Sequence, residues 1–402
     1  MRLGGRNILS TGARCDFSYK ATHMIKQTLA ELVRIDSVSL RSNAEIVRYL
    51  ERRCAATGFV TKRFPYDDEQ GVEKINLIAV TGADSSGIAE INLGVELALV
   101  GHTDTVPYDP NWTEATNLTE RDGKLYGRGS CDTKAFIAAA LTAVESIDLS
   151  QLKKPLALVF TADEEIGLIG AKHLAQQKAL NPRYSIVGEP TSLKPIRAGK
   201  GYSLAEVVVK GREAHSAYPA LGASAIYRAA RLVTRLELIA DGLKQLVHPA
   251  FDPPFTTLNV GLIRGGSAKN ILAGECRFTL EWRPIPTQPS SHVLNLVKAA
   301  IEDEQRNDPD FECEVQPTRA DFGFETAPDS PLISLLEEAT GIESGTVAFG
   351  TEAAQMMSLG SESVVIGPGD IREAHRTGEF VPVDQLEKCA EVLKLAITRL
   401  CG

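Results

Sequence analysis

Apolar residues recur along the first half of the chain with two alternating periods. Helical spacing predicts helices over residues 21–35, 42–58 and 167–174. Short apolar runs predict buried strands at 59–64, 76–80, 96–100, 156–161 and 184–187. A further helix, rich in small residues, is predicted to begin at Asp132 or Thr133. Alternating helices and buried strands predict an α/β layered domain with a mixed, largely parallel sheet.

A second segment, beginning near residue 197, has a different order of elements. Its predicted elements follow the order β-α-β-β-α-β, at 203–210, 223–239, 256–263, 275–282, 292–304 and 312–317. This order is typical of the split-βαβ, or ferredoxin-like, α+β sandwich. The first pattern then returns, with elements predicted at 332–340, 363–366 and 383–400. We therefore predict a first domain of residues 1–196 and 319–402, with residues 1–20 as a loose extension, and an inserted domain of residues 197–318.

Polar residues stand where the predicted strands of the first domain end. In the stretch ALVGHTDTVP, an apolar run stops at His102 and Asp104. Glu164, Glu165 and Glu189 also follow apolar strands. Because ligands of parallel sheets bind beyond the carboxyl ends of the strands, these residues are predicted to contribute to one site.

Two histidines and three carboxylates at such positions would suit a pair of divalent metal ions. A dinuclear centre needs two cations about 3.5–4 Å apart, and a carboxylate can bridge them with its two oxygens. Imidazole nitrogens and carboxylate oxygens suit Zn(II), with Co(II) or Mn(II) as alternatives. The candidate ligands are His102, Asp132, Glu165, Glu189 and His375.

Two further acids could support this centre. Glu164 could act as a general base that takes a proton from an attacking water and delivers it to a leaving amine. Asp104 could accept a hydrogen bond from the second ring nitrogen of His102 and so fix its tautomer. Each residue also has a structural interpretation, because a histidine at a strand end can simply be hydrogen-bonded and the acids can cap or begin helices. The occurrence of all these polar positions in one α/β domain favours the metal site.

The composition of the chain argues against several classes of function. The chain has 402 residues, 43% hydrophobic and 24% charged, with a net charge of −9. The length suggests about two domains, and the acidic balance argues against nucleic acid and anionic membrane surfaces as partners. No apolar run approaches the roughly 18 residues of a membrane span, and the N-terminus lacks the apolar region of a secretory signal. Seven scattered cysteines without a CxxC pair predict reduced thiols and a cytoplasmic location.

Five motifs together resemble the M20 family of co-catalytic metallopeptidases, which includes acetylornithine deacetylase and succinyl-diaminopimelate desuccinylase. In the order of the family, they are HTDTVP (102–107), YGRGSCDTKAF (126–136), FTADEEIGLIGA (160–171), VGEPT (187–191) and GPGDIREAHRTGEFV (367–381). The resemblance covers nearly the whole chain after the N-terminal extension. It implies a phosphorylase/hydrolase-like catalytic domain with two divalent metal ions, an inserted dimerisation or lid domain, and a homodimer.

The resemblance also implies how the metal ligands are shared. His102, Asp132 and Glu189 would bind one metal ion. The other would be bound by Asp132, Glu165 and His375, with Asp132 as the bridge. The peptide bond after this bridging aspartate is expected to be cis.

Three further residues match residues with catalytic roles in the family. Glu164 matches the general base, and Asp104 the carboxylate behind a ligand histidine. The segment GREAHSAYPALGASAI (211–226) resembles the segment whose histidine reaches the active site, often that of the partner subunit. His215 would then stabilise the oxyanion of the tetrahedral intermediate. Alternatively, His215 is a structural residue that caps a turn.

Three residues are candidates for contacts with the substrate. Asn270 is a candidate polar contact, and Arg283 could pair bidentately with a substrate carboxylate or be a salt-bridged structural residue. Glu352, in FGTEAAQM (349–356), would favour a cationic amine over a second carboxylate, or would merely be an acid at a helix N-terminus.

The substrate expectation comes from the resemblance. FGTEAAQM and KGY (200–202) are similar to acetylornithine deacetylase, whereas the desuccinylase has a TGGTSD-like segment in place of the former. This implies hydrolysis of N2-acetyl-L-ornithine to L-ornithine and acetate, in arginine biosynthesis. Several alternatives stay open: a deacylase of N-acetylcitrulline or succinyl-diaminopimelate, a dipeptidase or carboxypeptidase of the same fold, and an inactive binding or scaffold protein.

Overall fold

The computed structural model describes residues 11–82 and 93–402, with side chains described from residue 23 onward. Its helices are α1 (Thr11–Arg34), α2 (Ala44–Ala56), α3 (Lys134–Glu145), α4 (Ile169–Gln176), α5 (Ala225–Leu243), α6 (Ser291–Asn307), α7 (Pro331–Thr340), α8 (Ala353–Ser358) and α9 (Val383–Cys401). Its strands are β1 (Val60–Asp67), β2 (Glu73–Val80), β3 (Leu93–His102), β4 (Thr119–Arg121), β5 (Lys124–Tyr126), β6 (Leu156–Thr161), β7 (Leu180–Val187), β8 (Ile196–Gly199), β9 (Ser203–Lys210), β10 (Thr257–Gly265), β11 (Glu275–Arg283), β12 (Cys313–Ala320), β13 (Phe324–Glu325), β14 (Gly345–Val347), β15 (Glu362–Val365) and β16 (Phe380–Pro382).

The chain divides into two compact units. The first consists of residues up to Pro195, together with Pro328–Ser344 and Gln355–Gly402. The second consists of Ile196–Ala327 and Gly345–Ala354. All candidate metal ligands lie in the first unit.

The first unit is built on a sheet with the strand order β1-β2-β6-β3-β7-β15. Strand β3 runs parallel to β6 and β7, and β15 runs parallel to β7, whereas β1 and β2 are antiparallel to their neighbours. This confirms the predicted mixed, largely parallel sheet. In the register, His102 lies opposite Thr161 and Val100 lies opposite Val187, so these strands end at the same edge.

The core of the first unit follows from the alternation of side chains along the buried strands. Leu97 and Leu99 of β3, and Leu158 and Phe160 of β6, belong to one buried cluster with apolar side chains of α1, α2, α3, α7 and α9. Both faces of β6 are buried along its whole length, and β3 is buried from Leu97 to His102. Long apolar runs of this kind are typical of parallel strands covered on both faces.

The second unit contains the predicted β-α-β-β-α-β order, in β9, α5, β10, β11, α6 and β12. These strands form an antiparallel sheet in the order β10-β11-β9-β12, which is the ferredoxin-like arrangement. Apolar side chains of α5, α6 and the sheet form a separate core. In the same unit, β8 pairs with β13 and β14.

The structure differs from the predicted elements mainly in short strands. Strands β16, β5 and β4 form a small antiparallel sheet that was not predicted, because strands of three residues are too short to produce a recognisable period. Residues 1–10 of the predicted extension lie outside the described residues, and α1 begins at Thr11 instead of near residue 21.

The helices and cysteines bear on the predictions about membranes and disulfides. Among the described residues, no helix has the length and apolar character needed to cross a membrane. The cysteines whose side chains are described are all free thiols: Cys54, Cys131, Cys276, Cys313, Cys389 and Cys401.

Candidate metal centre

Three chain segments leave the sheet of the first unit at the edge where β3, β6 and β7 end. His102 is the last residue of β3, and the N–H of the following Thr103 donates to the carbonyl of Thr161 at 2.8 Å. On the other side of β3, the N–H of Gly188 donates to the carbonyl of Val100 at 2.8 Å. The buried Glu189 follows immediately, so the strand ends bring His102, the 163–165 loop and Glu189 to one edge.

Asp132 reaches this edge from the start of α3. The peptide bond between Asp132 and Thr133 is cis, as the family resemblance predicted. The hydroxyl of Thr133 donates to the carbonyl of Gly188 at 3.1 Å. This contact attaches the Asp132 segment to the loop that carries Glu189.

His375 lies on a segment that packs against the same loop. A Cβ atom on Gly367 would lie 2.5 Å from the carbonyl oxygen of Glu189, so only glycine permits this close approach. Further along, the N–H of Ser192 donates to the carbonyl of Gly369 at 2.6 Å. His375 itself has a positive φ of 59°, and its side chain is 51% exposed.

The donor atoms that converge here fit divalent metal ions. One ligand atom from each of His102, Asp132 and Glu165 lies within 4.8 Å of the other two. Asp132 Oδ1 lies 3.0 Å from His102 Nε2, and Asp132 Oδ2 lies 3.2 Å from His375 Nε2. His375 Nε2 also lies 2.9 Å from Glu165 Oε2. The two oxygens of Asp132 therefore face different histidines, as a bridging carboxylate requires.

The pKa values in this cluster reflect burial and mutual attraction. Burial alone would raise the pKa of the Asp132 carboxyl, but hydrogen bonds from His102 and His375 outweigh it and lower that pKa. Hydrogen bonds to Asp132 and Glu165 raise the pKa of His375 to about 10. Burial opposes the charged form of His102, yet hydrogen bonds to Asp104 and Asp132 raise its pKa well above the ordinary value. Burial and the nearby charge of Asp132 raise the pKa of Glu165. Such a concentration of carboxylates favours cations.

Asp104 supports the neighbouring loop through its carboxylate. Asp104 Oδ1 accepts from the N–H of Glu164 at 3.1 Å, and Oδ2 accepts from the N–H of Glu165 at 3.3 Å. Oδ2 also accepts from the hydroxyl of Ser39 at 2.7 Å. His102 Nδ1 lies 3.0 Å from the main-chain oxygen of Asp104 and 3.6 Å from its Oδ1. Asp104 thus faces the second nitrogen of His102, with its main-chain oxygen closer than its carboxylate.

The loop that carries Glu164 has a second anchor, which the sequence interpretation did not single out. Asp163 adopts a positive φ of 55°, and its Oδ1 lies 2.9 Å from the ammonium of the buried Lys74. The hydroxyl of Tyr66 donates to Asp163 Oδ2 at 3.0 Å. In the sequence, Asp163 could have been identified as an acid that directly precedes the Glu164–Glu165 pair at the end of a strand.

The remaining predicted residues lie in the second unit. His215 and Asn270 are both exposed, and the N–H of Ser216 donates to the carbonyl of Asn270 at 3.0 Å, so the structure brings these two loops together. His215 Nδ1 accepts from the N–H of Ala217 at 3.1 Å, a contact of the kind expected for a turn-capping histidine.

Arg283 and Glu352 are more enclosed. Arg283 Nε lies 2.8 Å from Glu281 Oε1, and its guanidinium lies 4.5 Å from the centre of the Tyr202 ring. These are contacts that the structural interpretation of Arg283 expects. Glu352 is fully buried and directly precedes α8. The roles of both residues toward a substrate stay predictions.

The site and the fold together define a class of protein. A cluster of imidazoles and carboxylates at the carboxyl edge of a largely parallel sheet is a site of the kind that metal-dependent hydrolases use. The model of peptidase family M20/M25/M40 matches residues 98–399. The chain belongs to this family of metallopeptidases and deacylases.

Individual relatives agree with this assignment. The chain is 51% identical over 379 residues to the acetylornithine deacetylase of Myxococcus xanthus, a match that covers 94% of this chain and 98% of the relative. A tripeptidase of Staphylococcus aureus has a similar structure, with a TM-score of 0.73 and 24% identity over 93% of this chain and 97% of that one. A Bacillus subtilis protein described as a dinuclear metal binding peptidase from the M20 family has a TM-score of 0.66 and 13% identity over 95% of this chain and 99% of its own. Both structures share the fold.

Proposed function

We propose that this protein hydrolyses the amide bond of N2-acetyl-L-ornithine to give L-ornithine and acetate, as a step of arginine biosynthesis in the cytoplasm. The observation that carries the proposal is the cluster of His102, Asp132, Glu165 and His375 at the edge of the sheet. The name of the Myxococcus xanthus relative, which is similar over nearly the full length of both chains, supports the substrate.

Two divalent metal ions, Zn(II) or alternatively Co(II) or Mn(II), would be held by five residues. His102, Asp132 and Glu189 would hold one ion, and Asp132, Glu165 and His375 the other. The orientation of Asp132, with one oxygen toward each histidine, supports its role as the bridge. When bound, such ions polarise the scissile carbonyl and lower the pKa of the attacking water.

The chain itself would supply the proton transfers. Glu164 would take a proton from the attacking water and return it to the leaving amine. Its main-chain N–H is held by Asp104, which supports a fixed position for this general base. His215 would donate a hydrogen bond to the oxyanion of the tetrahedral intermediate, in its own subunit or in a partner subunit.

Substrate selection would fall to three residues of the second unit. Glu352 would attract the cationic side chain of ornithine, and Asn270 would offer a polar contact. Arg283 would pair with the substrate α-carboxylate. Its existing contact with Glu281 implies that this pairing would require a change of partner.

The second unit would also form a homodimer. Strand β10 is at an end of the four-stranded sheet, where main-chain groups are available to pair with another chain. Its Leu262 and Ile263 are 61% and 53% exposed, and Leu238 of α5 is 66% exposed. Light scattering should give the mass of a dimer, and Ile263→Lys should shift it toward the monomer. A monomeric wild-type protein with full activity would refute both the dimer and an intersubunit role for His215.

The proposed function is tested by comparing kcat/KM of the zinc-loaded protein on four substrates. We expect N2-acetyl-L-ornithine to be preferred over N-acetylcitrulline, succinyl-diaminopimelate and a dipeptide. Preference for any of the other three would overturn the proposed substrate. Glu164→Ala should bind zinc with wild-type stoichiometry and lose turnover, by roughly 10²–10⁴-fold for a general base. Turnover within tenfold of wild type would overturn the role of Glu164.

A further inference from the structure

Glu379 lies where the segments of two proposed metal ligands meet. It follows His375 by four residues and directly precedes β16, which pairs antiparallel with β5, with Phe380 opposite Tyr126. The chain continues from Tyr126 toward Asp132. The pairing of β16 with β5 therefore aligns Glu379 with the 127–132 segment, and the Glu379 side chain is completely buried there.

The Glu379 carboxylate is used to hold the main chain of that segment. Its Oε1 accepts from the N–H of Cys131 at 2.8 Å and from the N–H of Asp132 at 3.0 Å. The Glu379 main-chain oxygen accepts from the N–H of Gly127 at 3.1 Å and from the hydroxyl of Ser130 at 3.3 Å. One residue therefore fixes the backbone on which Asp132 sits.

Arg128 balances the charge of this buried carboxylate. Its Nη1 lies 2.5 Å from Glu379 Oε2, and its Nη2 donates to the carbonyl of Pro107 at 3.3 Å. Its guanidinium lies 5.4 Å from the centre of the Trp112 ring, and its side chain is 5% exposed. The two oxygens of Glu379 thus have different partners: a pair of main-chain N–H groups on one side and a guanidinium on the other.

We infer that Glu379, supported by Arg128, is a positioning residue that orients Asp132 as the bridge between the two metal ions. The N–H groups of Cys131 and Asp132 are held from the segment that also carries His375, so Glu379 couples the placement of two ligands. This inference rests on the proposed metal centre. If it is correct, Glu379 acts on metal affinity and on turnover, and not merely on the stability of the fold.

Glu379→Gln tests this because an amide has one acceptor oxygen and one donor group. If the amide oxygen faces Cys131 and Asp132, its NH₂ group meets the Arg128 guanidinium, donor against donor. In the opposite orientation, the NH₂ group meets the two main-chain N–H groups. Either way, one set of hydrogen bonds is lost. Loss of partners behind metal ligands typically weakens metal affinity by about 10–100-fold.

The experiment titrates Zn²⁺ into metal-free protein by calorimetry and measures kcat and KM for N2-acetyl-L-ornithine. Glu379→Gln should lower the affinity for zinc by about tenfold or more and lower kcat, with KM changed by less than about threefold. The matched control is Asp308→Asn, which breaks the ion pair with the buried Arg228 (2.7 Å) in the second unit. The control should lower the thermal midpoint of the metal-free protein but leave zinc affinity and kcat unchanged.

The inference is wrong if Glu379→Gln binds zinc and turns over like wild type while its thermal midpoint falls. Should Glu379→Gln not fold, Arg128→Lys keeps the positive charge but loses the planar fork; it should weaken zinc binding in the same direction, and wild-type affinity would again refute the inference. Wild-type protein that binds zinc but hydrolyses no acetylornithine would refute the proposed function alone, because the affinity comparison still decides the role of Glu379. Wild-type protein that binds no divalent metal would refute both.

Discussion

Replacing Asp104 by asparagine keeps the size of the side chain but removes its charge and one of its two acceptor oxygens. In the folded protein, Oδ1 accepts from the N–H of Glu164, and Oδ2 accepts from Ser39 and the N–H of Glu165. The asparagine oxygen can serve one of these sides, so its NH₂ group must face main-chain donors on the other. The loop that carries the proposed general base then loses a fixed position.

The magnitude follows from the hydrogen bonds that are lost. A hydrogen bond to a charged group contributes about 1.5–3 kcal/mol. If the transition state of hydrolysis depends on this contact, that loss corresponds to roughly a 10–100-fold decrease in rate, since about 1.4 kcal/mol is a factor of ten. We therefore expect kcat/KM of Asp104→Asn for N2-acetyl-L-ornithine to fall by that factor at saturating zinc.

Ser39→Ala is the matched control for this experiment. It removes a single hydrogen bond to Asp104 Oδ2, 2.7 Å long, and leaves the carboxylate and both main-chain contacts in place. This hydrogen bond also goes to a charged group, but the main-chain contacts that hold Glu164 and Glu165 stay in place. The fall in kcat/KM should therefore be smaller than that of Asp104→Asn. The reasoning is refuted if Asp104→Asn stays within twofold of wild type, or if Ser39→Ala loses more activity than Asp104→Asn.

Three further predictions concern metal, buried charge and acid. Chelation should abolish hydrolysis and lower the thermal midpoint, and Zn²⁺ or Co²⁺ should restore both, since a ligand that binds the folded state stabilises it; full activity in protein found metal-free by mass spectrometry would contradict this. Lys74→Met leaves the Asp163 carboxylate buried without its cation, so the free energy of unfolding measured in urea should fall by about 3–5 kcal/mol. Adding Asp163→Asn should recover part of this loss. An unchanged unfolding midpoint for Lys74→Met would contradict the prediction. Hydrogen bonds from Arg228 lower the pKa of Asp308. The ionised Asp308 carboxylate therefore stabilises the folded state above the ordinary carboxyl pKa of about 4, and this stabilisation is lost as the pH falls through the lower pKa of the folded state. Asp308→Asn should therefore show a smaller fall in thermal midpoint between about pH 5 and pH 3 than wild type, and an equal or larger fall would exclude this origin.

Much of the fold could be predicted because its longer elements have strong periods. The predicted strands at 156–161 and 203–210 agree with β6 and β9 in both ends. The predicted helix at 383–400 likewise agrees with α9 to within one residue. Strands such as β4, β5 and β16 could not be predicted, because their partners, and not their own sequences, give them their conformation.

The sequence by itself determined the chemical inventory of the candidate site. Polar residues at the ends of apolar strands, in motifs similar to those of one family, were enough to predict His102, Asp132, Glu165 and His375 as a group. Local periodicity placed His102 and Glu165, because parallel strands that end together bring the residues after them to one edge. Asp132 and His375 follow no such strand, and their inclusion depended on the motifs.

Only the tertiary structure decided how these residues are held. It showed that the two oxygens of Asp132 face different histidines, and that His102 Nδ1 is nearer to the main chain of Asp104 than to its carboxylate. It also revealed that Glu379 holds the main chain of Asp132, 247 positions earlier in the chain. Contacts of this kind leave no periodic signal, because they join segments distant in sequence and depend on hydrogen-bond directions that only the packed fold defines.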